Sequence, residues 1–395
     1  VVQEFDVLIL GGGYAGLLAA LRLGKRLAGK PFRVGLVDRN PYHTLVTELH
    51  RVAAGTASPT AVRIPFTKIL KDKPVSFVQA EVRALDLRER RVDTSAEALH
   101  YKILLVALGG EAETYGIHGV AEHALSATAL APARLFRYRL EHNLARYAYT
   151  RDDAFRTVVI GGAGLTGMEL AGELASRAPD LREAFDLPHA EGGLRIFVAE
   201  ATDRALPPFP EELGHYAARR LAESGVRFLF GSPFREVREE GVLLGDGAFL
   251  PARTVAWCGG VRAPEVLRRA GFPIQNGRIP VGKDLRVPGF EDVFAVGDVA
   301  FFIDEDLGPP PPTAQTAIQM GPQAAENAAA LLTGGSVRPL RAKNRGAVAT
   351  LGPQDAVGCL YGRYRIYGRL AFWTKRAIEM RYLAILRREA GWYTP

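Results

Sequence analysis

The sequence predicts an α/β protein: two doubly wound, parallel-sheet dinucleotide folds followed by a C-terminal amphipathic helical region. Three observations carry that reading. Two glycine-rich strand-to-helix turns stand about 150 residues apart, each is followed further on by a strand that ends in an acid, and the last 35 residues are basic and amphipathic.

The first turn is Gly11-Gly12-Gly13-Tyr14-Ala15-Gly16, after the apolar run Phe5 to Leu10 and before a helix expected over Leu17 to Leu27. Its glycines have separate tasks: Gly11 makes the turn, Gly13 lets backbone N–H groups approach a pyrophosphate, and Gly16 lets helix pack on strand. The helix N-terminus favours the negative charge. Asp38 ends the strand Arg33 to Asp38, 22 residues after Gly16, where a carboxylate can grip a ribose hydroxyl.

Val75 to Val78 and Arg91 to Asp93 read as strands of a small meander, and Lys102 to Gly110 as a buried strand ending in the turn at Ala107 and Gly109. Helical pattern over Pro132 to Tyr149 leads to the second turn, Gly162-Ala163-Gly164-Leu165-Thr166-Gly167, between Thr157–Ile160 and a helix expected over Met168 to Ala178. Glu200 closes the strand Leu194 to Glu200, but 33 residues after Gly167, because a segment from Pro179 to Gly193 intervenes. Further strands are expected at Val226–Leu229 and Thr254–Trp257. In Val287 to Asp298 a loop then leads into an apolar strand that stops at Gly297-Asp298, where a carboxylate at a helix start can bond a sugar-like hydroxyl. The expected division is a discontinuous first unit, 1–115 and 265–345, an inserted second unit, 116–264, and a C-terminal region, 346–395.

Composition excludes several classes. The chain has 395 residues, 48% hydrophobic and 24% charged, enough for more than one cored domain. Cys258 and Cys359 are its two cysteines, so there is no C-x-x-C dithiol and disulfide-reductase chemistry is excluded. No His/Cys cluster has metal-ligand spacing, and no metal is expected. The run Pro309 to Pro312 reads as a stiff extended loop. No 18-residue apolar stretch and no signal pattern occur, which points to a protein kept in the cytosol.

From Tyr361 to Pro395 eight basic residues face two acidic ones, a local +6 of the total +7. Leu370, Trp373, Ala377, Met380 and Ala384 recur every three or four residues, widened by Phe372, Ile378, Tyr382, Leu383, Ile385 and Leu386. The pattern suits a helix lying on an anionic lipid surface. It equally suits a helix docked on the protein's own core or on a second subunit. No nucleic-acid recognition motif accompanies the charge.

Together the two glycine turns, Ala107-Leu108-Gly109 and Gly297-Asp298 resemble the two-dinucleotide-binding-domain flavoproteins. Within them the chain resembles the type II NADH dehydrogenases, non-pumping NADH:quinone oxidoreductases, through Asp38 to Thr44, His50 to Thr56, Gly162 to Leu174, Trp257 to Ala263, and the A-Q-x-A-x-Q motif Ala314 to Gln319. The resemblance implies FAD on Gly11, Gly13, Gly16, Asp38, His43, Thr44, Ala107, Gly109 and Asp298. NADH is implied on Gly162, Gly164, Gly167, Glu200 and Gly260, with Glu200 repelling the 2′-phosphate of NADPH. It places Glu169 near nicotinamide and flavin, although an acid there could simply serve the helix dipole. Gln315, beside the flavin, and Gln319 would face a membrane quinone, menaquinone or ubiquinone, or else form an ordinary solvated face. Lys375 would stand beside the quinone. The implied protein is a peripheral homodimer on the cytoplasmic face of the cell membrane. A soluble flavin reductase serving a ferredoxin-like carrier and a non-enzymatic NADH-sensing flavoprotein would share both folds. A sulfide:quinone reductase would need the absent redox cysteines.

Overall fold

A computed structural model describes residues 3–188, 193–303 and 312–391. Its first sheet runs, in spatial order, Ser76–Gln79, Val34–Asp38, Gln3–Leu10 and Ala98–Val106, all parallel. Val293–Ala295 returns from far along the chain to pair in parallel with the last half of Ala98–Val106. The first half of that long strand instead joins the antiparallel strands Arg91–Thr94 and Val82–Asp86. Phe77 therefore belongs to the parallel sheet beside Leu36, not to the meander expected for it.

Register is what builds the site. Leu10 lies opposite both Val37 and Val106, and Val106 opposite Ala295, so four strands end on one line. The glycine turn, Asp38, the Ala107–Gly109 turn and Gly297-Asp298 emerge together at the carboxyl edge, where doubly wound sheets bind their ligands. The helix after the turn, Tyr14–Arg26, is buried along nearly its whole length. It lies under the alanine-rich helix Ala314–Leu332, whose small side chains permit close approach: a Cβ on Gly321 would stand 2.1 Å from the Ala15 carbonyl oxygen. The Thr313 hydroxyl caps that helix by accepting from Thr316 N–H.

The second unit repeats the plan in five parallel strands: Leu125–Ser126, Thr254–Trp257, Thr157–Gly161, Arg195–Ala199 and Val226–Leu229. Gly161 lies opposite both Ala199 and Trp257. Leu130–Thr150 is the helix leading in. The helix after the second turn runs from Leu165 to Ala184, through Pro179, and does not stop at Ala178. Leu181 and Leu187 explain the extension, since both are buried in the core of this unit. Much of the intervening segment is thus extra helix; residues 189–192 of it, like 309–311 of the proline run, lie outside the described residues.

The C-terminal region is a three-stranded antiparallel sheet, Gly346–Thr350, Ala356–Leu360 and Tyr364–Tyr367, and a helix, Gly368–Ala390. The helix does not carry one apolar stripe. Ala371, Tyr382, Leu386 and Ala390 are buried against the protein, whereas Leu370, Trp373 and Met380 are 67%, 65% and 61% exposed on the other side. Docking on the protein's own core describes the inner face of this helix, and an exposed apolar face remains outside.

Candidate functional site

The two glycine turns are built alike. Gly11 and Gly162 have φ of +98° and +105°, and a Cβ on either would meet a backbone carbonyl oxygen, that of Ala107 at 2.4 Å or Cys258 at 2.9 Å. On Gly16 or Gly167 a Cβ would lie 1.9 Å from the carbonyl oxygen of Gly11 or Gly162, so these glycines set the helix against its strand. Gly13 and Gly164 face open space, as glycines that admit a phosphate must. Gly12 N–H donates to Asp38 Oδ2 at 2.8 Å, and Ala163 N–H to Glu200 Oε2 at 2.7 Å. Glu200 therefore occupies in the second unit the place of Asp38 in the first, despite the longer spacing.

A single cavity of about 2110 Å³ joins the units. Gly11, Gly13, Asp38, Thr44, Ala107, Gly109 and Asp298 line it from the first unit. Leu165, Thr166, Glu169 and Gly260 line it from the second. Gln315, Gln319 and Lys375 close the third side. Gly16, His43, Gly162, Gly164, Gly167 and Glu200 are not in its wall, so the second turn meets the cavity through Leu165 and Thr166 rather than through its glycines.

Asp298 stands in the cavity wall as a carboxylate with free acceptor capacity. Burial raises its pKa against the opposing charge of Arg278, and among the described residues it accepts no hydrogen bond. Asp38 is also raised by burial, but bonds from Asn40 N–H and Gly12 N–H hold its two oxygens.

Lys375 reaches across from the C-terminal helix and donates to Glu169 Oε1 at 2.9 Å. Thr350 N–H donates to the same oxygen at 3.1 Å, and His50 Nδ1 lies 3.6 Å from Oε2. Burial would raise the pKa of Glu169; the charges of Lys375 and His50 and these hydrogen bonds overcome it and hold the carboxyl below its usual range. Glu169 is the fifth residue of its helix and does more than serve the dipole. The glutamines are less free than a bare helix face. Gln315 Oε1 accepts from Arg345 N–H, while Gln319 donates to the carbonyl oxygens of Gln315 and Lys343 and accepts from Lys343 N–H.

The family model of the pyridine nucleotide-disulphide oxidoreductases matches residues 5–321. The type II NADH:quinone oxidoreductase of Staphylococcus saprophyticus is 35% identical over 381 residues, 95% of this chain and 94% of the relative. That of Staphylococcus epidermidis is 36% identical over the same shares. The chain belongs to the type II NADH:quinone oxidoreductases. The fold agrees with NDH2 from Plasmodium falciparum in complex with NADH, at a TM-score of 0.83, 16% identity and coverage of 100% of this chain and 99% of that one. It also agrees with the sulfide:quinone oxidoreductase of Aquifex aeolicus, at a TM-score of 0.75, 18% identity and coverage of 98% and 92%.

For a type II NADH:quinone oxidoreductase the first turn is tied to the tail in a way the sequence did not announce. His43 is fully buried; the Gly12 carbonyl oxygen, 2.9 Å from Nδ1, can only accept, so the proton sits on Nδ1. Nε2 then accepts from the Tyr382 hydroxyl at 2.8 Å. The chain of contacts runs from the C-terminal helix through one imidazole to the cofactor turn. Tyr382 stood in the sequence as one more apolar stripe residue, and only its hydroxyl could have marked it.

Burial pulls the pKa of His43 down to about 4, against the raising effect of the Gly12 bond. The unfolded chain takes up a proton below its ordinary value of 6.5, and the folded chain does not until about 4. Stability from this residue is therefore complete above that range and lost as pH falls through it. Thermal unfolding across the window should show a steeper loss of Tm for the native protein than for His43→Gln. Equal slopes would mean that His43 is not held neutral.

Proposed function

We propose that this chain oxidises NADH and reduces a membrane quinone by two electrons without moving protons across the membrane, its flavin in the first unit and its nicotinamide nucleotide in the second. The single observation that supports this best is the continuous cavity lined by the first glycine turn, by Leu165 and Thr166 of the second and by the tail helix, since two substrates of different polarity need access to one redox centre. The boundaries that suit it are 1–115 with 265–345, 116–264 and 346–395.

FAD, when bound, accepts a hydride and returns two electrons. The protein's part is to hold and orient. Gly11 makes the turn, its N–H held by the Val37 carbonyl oxygen, Gly13 leaves room for the pyrophosphate at the backbone, Gly16 seats the helix, Asp38 faces the ribose, Asp298 binds the ribityl chain, and Thr44, Ala107 and Gly109 complete the wall. His43 acts through Gly12, whose carbonyl it fixes. Gly162, Gly164, Gly167 and Gly260 do the corresponding work for NADH. Glu169 and Lys375, neutralising one another, keep the space between nicotinamide and quinone polar yet without net charge. Gln315 offers its Nε2 to a quinone oxygen, and Gln319 holds the segment at Lys343 that frames it.

No helix among the described residues is long and apolar enough to cross a membrane. Attachment is assigned to the exposed face of the Gly368–Ala390 helix, where apolar side chains alternate with Arg369, Arg381 and Arg387 above anionic lipid. The exposed tyrosines 361 and 364 offer a surface for a second copy. The cytoplasmic face suits a protein fed by cytosolic NADH.

Anaerobic NADH should bleach the flavin of the purified protein, and ubiquinone-1 or menadione should restore its colour within turnover time. Reoxidation by a ferredoxin but not by either quinone would point to a soluble reductase instead. Replacing Glu200 by Gln removes the charge that repels a 2′-phosphate, so the ratio of kcat/KM for NADH over NADPH should fall about tenfold. An unchanged ratio would remove Glu200 from the nucleotide site.

Because the tail helix also supplies Lys375 and Tyr382, truncating it would damage the site itself. The triple change Leu370→Ser, Trp373→Ser, Met380→Ser tests the outer face alone. It should abolish flotation with anionic vesicles while leaving NADH:ubiquinone-1 activity within about twofold. Undiminished flotation would place the membrane contact elsewhere.

A further inference from the structure

Reducing a quinone to a quinol takes two electrons and two protons. NADH brings the two electrons and one proton as hydride, so the balance is NADH + H⁺ + Q → NAD⁺ + QH₂, and one proton must come from another donor. Most groups around the cavity cannot give it near neutral pH. Lys375 is held as an ammonium by its bond to Glu169, which raises its pKa against the lowering effect of burial. The phenols of Tyr14 and Tyr382 are pushed upward by burial. His43 donates its Nδ1 proton to the Gly12 carbonyl oxygen and is not in the cavity wall.

One pair remains. Glu48, at the end of the short helix Val46–Glu48, and Glu379, on the tail helix, face each other across the cavity wall, and both line it. Arg376 Nη1 lies 3.0 Å from Glu379 Oε2 and 3.7 Å from Glu48 Oε2. Arg51 Nη1 lies 2.9 Å from Glu48 Oε2. The side chains of Glu48 and Glu379 are 9% and 19% exposed. Two carboxylates so close share a proton, because both cannot be charged at once. Ile378, Leu383 and Ile385 line the cavity on the same helix, an apolar approach for a lipid-soluble ring and tail.

We propose that the Glu48–Glu379 pair holds one proton and that Glu379 delivers it to a quinone oxygen. The proposal rests on the quinone reading above. The Glu379 O–H bond breaks, the quinol O–H bond forms with the electron pair already delivered to the ring, and the resulting carboxylate takes its next proton from solvent at its partly exposed edge. Titration supports the assignment of the proton. Burial raises both groups; hydrogen bonds from Glu379 and Arg51, and the charges of His50 and Arg51, bring Glu48 below its ordinary value. Glu379 is driven up to about 8 by burial and by Glu48, against the charges of Lys375 and Arg376. At neutral pH the donor is protonated, with a pKa near the working pH, as an efficient acid requires.

The test is stopped-flow timing of the two half-reactions, NADH-driven flavin bleaching and reoxidation by ubiquinone-1, between pH 6 and 9. In the native protein reoxidation should hold at low pH and fall as pH rises through about 8, where Glu379 loses its proton. Glu379→Gln should bleach at the native rate, with full flavin content, but reoxidise about 100-fold more slowly and without that limb. Glu48→Gln removes the charge that raises Glu379, and should move the limb to lower pH. Reoxidation of Glu379→Gln at the native rate, with the limb intact, would assign the proton to His50 or to water and overturn the proposal alone. A limb unmoved in Glu48→Gln would also overturn it. Native protein that NADH reduces but neither ubiquinone-1 nor menadione reoxidises would overturn the quinone reading, and the proposal with it.

Discussion

The ion pair between Lys375 and Glu169 is the contact on which the rest of the site depends. Both side chains are nearly out of solvent, 13% and 8% exposed, and they come from elements 206 residues apart. Removing two charges from water costs several kcal/mol per ion, so such a pair adds little net stability over a well-packed apolar one. What it adds is specificity of position. If either partner lacked the other, a charge would be stranded in the interior at a cost of roughly 3–5 kcal/mol. The tail helix is therefore seated in one register against the second dinucleotide unit, while the hydrogen bond from Tyr382 to His43 seats it against the first.

That seating gives the helix two apolar faces with different work. A helix that only lay on lipid would leave its inner face to solvent or to nothing; here Tyr382, Leu386 and Ala390 join the first unit's core. Leu370, Trp373 and Met380 are left largely exposed among the described residues. Exposed apolar groups of this size, interleaved with arginines, fit a lipid surface better than water. The same helix thus closes the cavity on one side and carries an exposed apolar face on the other.

Much of this was legible in the sequence because the decisive geometry is local. A glycine turn, its preceding strand and its following helix lie within about 25 residues, and Gly11, Gly13, Gly16 and their counterparts could be assigned tasks before any fold was known. Relations between distant segments were not legible. Periodicity reports that a residue is apolar every third or fourth position, not which of two apolar faces it is on, and so the stripe in the tail merged two surfaces. Phe77 read as meander because a four-residue strand carries no sign of its partner. Gln315 and Gln319 were visible as a pair on one face, but not the backbone of Lys343 and Arg345 that occupies part of their bonding capacity. Glu48 and Glu379, 331 positions apart, gave no signal of each other.

The spacing of Glu200 shows how structure resolves what counting cannot. Asp38 and Glu200 are each held by two backbone N–H groups, one from the residue two positions on, Asn40 or Thr202, and one from the second residue of the glycine turn, Gly12 or Ala163. These bonds tie the end of the second strand to the turn after the first, and they are indifferent to how much chain lies between. The helix can run on through Pro179 without disturbing them, because the bonds join only the strand end and the turn. Each N–H uses one lone pair of the oxygen it meets, and a carboxylate has about four. A third donor, Asn40 Nδ2 on Asp38 Oδ1 or Thr202 Oγ1 on Glu200 Oε1, leaves about one acceptor position open, so the acid is fixed in direction by the protein and keeps capacity for one further donor.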